Sequence, residues 1–213
     1  MASEIDICNL ALAHLGDTAT IASLSPPEGS AQAEHCARFY PVARDSLLEM
    51  HSWGFATRRV QLALLTSGWP EWTYAYAQPA DALNVIAILP PESTDDYSTG
   101  VPDSAGGSYV PQPFSCEIND SGAPVIYTDQ EDAVLRYSAT VTDPTRFSPL
   151  FVMALSWHLA SMLAGPIIKG DAGAAEAKRC AGMMQAYLSK AVESDSSQRR
   201  VRPEHVVGWM AGR

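Results

Sequence analysis

The sequence predicts an α+β protein: a four-helix bundle, a small antiparallel β domain inserted between its second and third helices, and an extended C-terminal arm. Three observations carry this. Residues 149–164 are apolar on nearly every side, with only Ser156, His158 and Ser161 polar, and a helix without a polar face is one surrounded by other helices. Residues 55–145 change to short β-rich runs broken by Gly, Pro and Asp. Residues 196–213 reverse the sign of the charge, with four arginines against Glu204 in a chain of formal net charge −10. The expected division is therefore 1–54 with 146–195 for the bundle, 55–145 for the insert, and 196–213 for the arm.

Each element has its own signals. The first helix, 4–15, is capped by Ser3, carries an Ile5, Cys8, Leu12 and Leu15 stripe, and ends at Gly16. After the breaker "SPPEGS", a second helical region spans 31–52 with Ala33, Cys36, Tyr40, Leu47 and Met50 on one face. Pro41 sits inside it and predicts a kink or break near Phe39–Tyr40. The third helix has Ser148 as N-cap, Pro149 in the first helical position and Gly165-Pro166 as its stop. Ending there, it falls short of the ~20 apolar residues of a membrane span. The fourth helix, 172–194, takes Asp171 as its cap and presents Cys180, Met184, Tyr187, Leu188 and Ala191 on one side. A short turn between helices three and four predicts antiparallel neighbours.

In the insert, "RRVQLALL", "WTYAYAQ" and "LNVIAIL" read as strands. "PFSCEINDSGAPVIYT" reads as a hairpin turning at Asn119–Gly122, and "AVLRYSATV" alternates Val134, Arg136 and Ser138 against Leu135, Tyr137 and Ala139. Residues 90–113 hold many Pro, Gly and Ser with four acids and no base. So long a loop is functional or disordered, and its composition predicts mobility in the free protein.

The composition excludes several classes. An acidic chain does not grip nucleic acid by neutralising phosphates. The N-terminal "MASEIDICNL" has no basic region leading into an apolar run, which predicts no signal peptide and synthesis in the cytoplasm. Cys8, Cys36, Cys116 and Cys180 lie far apart without a CxxC pair, which predicts buried free thiols in place of a zinc site or disulfide framework. No GxSxG, P-loop, GxGxxG, HExxH or EF-hand spacing occurs. His14 and His158 fall in helices and read as hydrogen-bonded core histidines, and His35 beside Cys36 makes a poor ligand pair. Trp69, Trp72, Tyr74 and Tyr76 are the residue types that stack on nucleobases, but no basic residues lie among them, and strand alternation with packing under the bundle explains them better. The densest acids, Glu117, Asp120, Asp129, Glu131 and Asp132, sit at hairpin ends as solvated turn residues do. The expectation is a non-enzyme with no cofactor and no metal.

The arm is the one segment whose composition asks for a partner. Arg199, Arg200 and Arg202 are suited to charge-assisted bonds with carboxylates. Beyond Pro203, Val206, Val207, Trp209 and Met210 form an apolar cluster, and Arg with Trp is the composition of interface hot spots. These seven residues are the expected docking site. The alternatives are that Trp209 folds back onto its own bundle, which would not need three arginines, or that the end is frayed.

Several segments in order resemble the phage head-to-tail adaptor family, also called tail tubular protein A. They are "EIDICNLALAHLGDTATIASLSPPEGSAQAEHCARFYPVARDSLLEMHSWGFATRRVQLALL", "YAYAQPADALNVIAIL" and "YTDQEDAVLRYSATVTDPTRFSPLFVMALSWHLASMLAGPIIKG". The order is a short helix ending in Leu-Gly, a helix ending in a Trp-Gly turn, a Tyr/Pro-Asp-Leu strand entry, a β insert, then an Ala/Leu-rich helix. The likeness covers about residues 3–195, and residues 90–113 have no counterpart in it. It implies a virion structural protein at the head-tail junction, assembled as a dodecameric ring beneath the portal. Such a ring extends the DNA channel, passes double-stranded DNA without specific binding, and carries the next tail or nozzle component; no membrane is involved. A soluble helical interaction or regulatory module is the first alternative, and a virion-associated hydrolase built on the hairpin acids is the second.

Overall fold

The computed structural model describes residues 2–66, 69–91 and 112–198. Among the described residues the protein is α+β, with four α-helices and two small antiparallel sheets, and they divide into two units: Met1–Ala56 with Thr140–Gln198, and Thr57–Ala139. Residues 140–145, expected in the insert, belong to the helical unit. Val141 and Phe147 are buried there, and Phe147 packs on Phe151 and Phe55 at ring-centroid distances of 4.8 and 5.7 Å.

Helix α1 (Glu4–His14) opens with a full capping box, in which Ser3 and Asp6 satisfy each other's backbone N–H groups. Its buried face is Ile7, Cys8, Ala11 and Leu12, one step round from the expected stripe, because Ile5 and Leu15 stay half-exposed. Helix α2 (Ala31–Glu49) runs unbroken through Pro41 and ends at Met50, earlier than expected. Met50, placed on its inner face from the sequence, is instead exposed, and Ala43, Arg44 and Leu48 complete the buried side.

Helix α3 (Pro149–Ile168) is the common partner of the other three helices. Phe151, Leu155, Leu159 and Leu163 are fully buried, and Ala154, Ala160 and Ala164 let neighbouring backbones approach. It does not stop at Gly165-Pro166. Pro166 lies in the last turn, and the helix ends at Lys169, whose φ of 63° breaks the spiral. At 20 residues and mean hydropathy 1.6 it is long and apolar enough to cross a membrane, contrary to the shorter expectation, though half of that window is buried inside the protein.

Helix α4 (Gly170–Ser197) starts directly after Lys169, so Asp171 lies in its first turn and is not its cap. The single-residue connection folds α4 back along α3. Gly173 lies against Ala164 and Gly165, and further along Arg179 sits over Trp157 at 5.2 Å. Such a succession is antiparallel. A Cβ on Gly173 would lie 3.0 Å from the Ala164 carbonyl oxygen, so the glycine is what allows the close approach.

The β unit has two antiparallel sheets. One is β1 (Thr57–Gln61), β7 (Val134–Ala139) and β4 (Ala82–Leu89), with β7 central. The other is β2 (Leu64–Leu65), β3 (Tyr74–Ala77), β6 (Pro124–Thr128) and β5 (Phe114–Ile118), in that spatial order. The run "RRVQLALL" thus supplies two strands, one to each sheet, with buried Leu62 between them. Tyr76 and Ile126 from one sheet meet Ile88, Leu135, Tyr137 and Ala139 from the other in one core. The hairpin turns where expected: Asn119 Oδ1 accepts from the Ser121 and Ala123 N–H groups, and Gly122 supplies φ 81°.

Candidate functional site

The seven residues expected to dock a partner, Arg199, Arg200, Arg202, Val206, Val207, Trp209 and Met210, lie outside the described residues, as does most of the 90–113 loop. What is described is the root from which the arm departs. Asp195, in the last turn of α4, accepts the Gly54 N–H with both carboxylate oxygens at 3.1 and 3.0 Å and faces His51 Nε2 at 3.3 Å. His51 stands edge-on to Trp53, whose Nε1–H donates to the Leu47 carbonyl at 2.9 Å. Trp53 is fully buried and packs edge-on against Phe151, with ring centroids 5.0 Å apart. The Trp-Gly turn after α2 is therefore clasped by the end of α4 and seated on the start of α3. Gly54 suits this close approach, because a Cβ there would lie 3.3 Å from Asp195 Oδ1, tighter than ordinary contact. Sequence reasoning missed Asp195; the only signal was a pair of acids, Glu193 and Asp195, ahead of a basic segment.

The two helical histidines are structural. Ser156 Oγ donates to the Met153 carbonyl, so the contact at 3.1 Å to His14 Nε2 is a bond the imidazole must donate. By the same reasoning Ser46, which donates to the Ala43 carbonyl, accepts from His158 Nε2 at 2.9 Å. Burial holds both imidazoles below their ordinary pKa, and the nearby Arg179 charge adds to this at His14. The His14 ring stacks flat on Trp157 with centroids 3.6 Å apart. Arg179 lies over the same indole, donates to the His14 carbonyl at 3.1 Å, and is held by Glu176, whose carboxyl it pushes below the usual range. This arrangement ties α1, α3 and α4 together and leaves no free nucleophile-base pair among these residues.

The hairpin acids do not converge. Glu117, Asp120, Asp129, Glu131 and Asp132 are all exposed. Asp129 caps the entry to β3 by accepting from the Thr73 N–H and hydroxyl, each at 2.9 Å, and Glu117 accepts from Ser115. Among the described residues no group of three His, Cys, Asp or Glu side chains is placed to hold a metal ion. Of the thiols, Cys8, Cys36 and Cys180 are buried, but Cys116 is exposed on edge strand β5, correcting the expectation for that residue. The hydrogen bond with Cys36, reinforced by burial, pushes the Cys8 thiol far up. Of the aromatics weighed as base-stacking candidates, Tyr76 is core, Trp72 packs beside Ala75, Val125 and Tyr127, and Trp69 is exposed.

Exposed apolar side chains are the other feature that sequence patterning did not isolate. On the helical unit they are Val42 and Met50; on the β unit they are Val60, Leu64, Leu65, Trp69 and Ile118. Leu64 and Leu65 form a two-residue edge strand, and Ile118 ends the strand at the opposite edge of the same sheet. No protein-family model matches the chain, and no curated protein matches it.

Proposed function

We propose that this protein is a virion structural component, a head-to-tail adaptor whose copies assemble as a dodecameric ring beneath the portal and carry the next tail or nozzle component. The observation that carries the reading is the succession of elements: a short capped helix, a long helix ending in the Trp-Gly turn, an antiparallel β insert, then a nearly all-apolar helix packed by the rest. That is the succession the resemblance implies, and the helical unit is read with it as a four-helix bundle around α3. The scattered, turn-bound acids and the structural histidines support a non-enzymatic role. The apolar side chains left on both units suit a subunit whose surface is completed by neighbours. An acidic channel wall repels the phosphate backbone, so that double-stranded DNA slides through without specific contact. On this reading α3 is covered by helices and no membrane is involved; the protein acts at the head-tail junction after synthesis in the host cytoplasm.

Co-assembly tests the reading. Purified protein mixed with portal rings should add one stacked ring below the portal in electron micrographs, and a chain truncated after Gln198 should not. A full-length protein that stays unassembled on portal rings over a range of salt and concentration would overturn it.

A further inference from the structure

Helices α1 and α2 run antiparallel where they meet. Gln32, at the start of α2, donates to Asp17, just past the end of α1, at 3.3 Å. At the other end Glu4 of α1 lies near enough to Tyr40 of α2 for its charge to act on the phenol. Stepping inward from these two ends, forward along α1 and back along α2, sets Cys8 against Cys36 and Ala11 against Ala33. All four are fully buried. The alanines carry no bulk that would hold the helices apart, and Cα atoms of α1 and α2 come within 8 Å of each other. The two thiols are hydrogen-bonded to each other and neither is in a disulfide. Cys180, the other buried thiol among the described residues, lies beside Glu176 and Arg179 and takes no part in the pair.

We propose that Cys8 and Cys36 are a redox pair: thiols in a reducing compartment, and a disulfide stapling α1 to α2 where a small-molecule disulfide such as oxidised glutathione is in excess. The facing positions supply the geometry, because a disulfide joins Cα atoms up to about 7 Å apart and needs a close helix pass. The hydrogen bond divides the chemical roles. Cys8 donates to Cys36, which holds the Cys36 thiol below its ordinary pKa against the opposing push of burial, while the Cys8 thiol is pushed far up. Cys36 is therefore the sulfur that ionises first and attacks.

The step balances without a cofactor. The Cys36 thiolate attacks the small disulfide, forming a mixed disulfide and releasing one small thiolate. Cys8 then gives up its proton and attacks the Cys36 sulfur, releasing the second small thiolate. The protein dithiol has lost two electrons and two protons, and the small disulfide has gained both as two thiols. Both sulfurs are buried, so exchange waits on a local opening of α1 and is slow. The inference is independent of the adaptor reading, since it needs only the packing of α1 on α2.

The test compares the equilibrium of the pair with glutathione in the folded and unfolded full-length chain. Cys116→Ser first removes the exposed thiol. The folded chain, in urea below its unfolding transition, and the same chain in guanidinium are equilibrated with mixtures of reduced and oxidised glutathione, starting from both the reduced and the oxidised side. Free thiols are then alkylated and the products weighed. A fold that holds the sulfurs in bonding position should raise the equilibrium constant for the Cys8–Cys36 disulfide about a hundred-fold or more over the unfolded chain. Cleavage after Glu28 and Glu34 should release the two cysteines as one cross-linked pair of peptides. An equal or smaller constant in the folded chain would overturn the proposal, because a pair that only fills space is opposed by the fold when it is bridged. A cross-link to Cys180 would overturn it as well. At unchanged helix content, Cys8→Ala should end as a glutathione adduct on Cys36 and form it several-fold faster than Cys36→Ala forms one on Cys8; the reverse order would refute Cys36 as the attacking sulfur.

Discussion

The clasp at Gly54 makes a prediction whose sign depends on the background. Asp195→Ala removes a charge-assisted hydrogen bond to the Gly54 N–H and the contact to His51. Bonds of this kind contribute about 1.5–3 kcal/mol, and because Gly54 is itself exposed, water can partly replace the lost acceptor. A loss near 1.5 kcal/mol is expected for the helical unit. Gly54→Ala has two opposed effects. Its φ does not require glycine, so restricting the unfolded chain favours folding by about 0.4–1 kcal/mol. Against this, the new Cβ would sit 3.3 Å from Asp195 Oδ1, tighter than ordinary contact, and would push the carboxylate off the N–H it holds. In the parent chain the net result should be neutral to destabilising. In the Asp195→Ala background the obstacle is gone, and Gly54→Ala should then stabilise by about 0.4–1 kcal/mol. Urea denaturation followed at 222 nm, with the four chains of the cycle measured side by side, reads the difference directly. Equal effects of Gly54→Ala in both backgrounds would refute the clasp.

Other consequences are simpler to state. Leu155→Ala and Leu159→Ala, both at fully buried positions of α3, should each cost about 2–5 kcal/mol; losses under half a kcal/mol in denaturant melts would remove α3 from the centre. Lys169→Gly should stabilise by about 1 kcal/mol or more, because φ 63° with ψ 165° is a conformation that lysine adopts only under strain; an unchanged or lower melting temperature would contradict it. His14 and His158 titrate below the free value of about 6.5 in the folded chain, so as pH falls the unfolded chain binds their protons first. The stability they contribute is therefore complete above that value and lost as pH drops through the folded pKa values. Melting temperature should fall between pH 7 and pH 5, less steeply in His158→Gln, and an equal slope in that variant would refute the assignment.

What the sequence made legible is the set of elements governed by local chemistry. Caps at Ser3 and Ser148 each accept a backbone N–H three residues on, as hydroxyl caps do; Ser30 does the same for α2, where only the breaker before it had been read. The Asn119–Gly122 turn was readable because Asn and Gly have a specific mechanical use there. The misplaced boundaries come from tertiary contacts that outweigh local preference. Pro166 removes one hydrogen bond near a terminus whose donors and acceptors are thinning out anyway, so continuing α3 costs little. The true stop is Lys169-Gly170, where two consecutive residues of positive φ turn the chain and let α4 lie back on α3. Pro41 is likewise tolerated within α2, which is anchored on both sides of it by Cys36, Tyr40, Ala43 and Leu47.

The site is less legible than the fold, for a related reason. Asp195 and Gly54 are 141 residues apart, and nothing in either neighbourhood announces the other. The two sheets were hidden in the same way. β1 pairs with β7 and β3 with β6, so every sheet is closed by partners distant in sequence, and a run such as "RRVQLALL" gives no sign that its halves belong to different sheets. The exposed side of α2 is the sharpest case. Periodicity placed Met50 with Cys36 and Tyr40 on one apolar face, and only the positions of α1 and α3 decide which third of the helix they cover. An apolar residue left outside that third carries the same sequence signal as one inside it. The distinction matters because the inner face stabilises the unit, whereas Val42 and Met50 on the outer side face solvent.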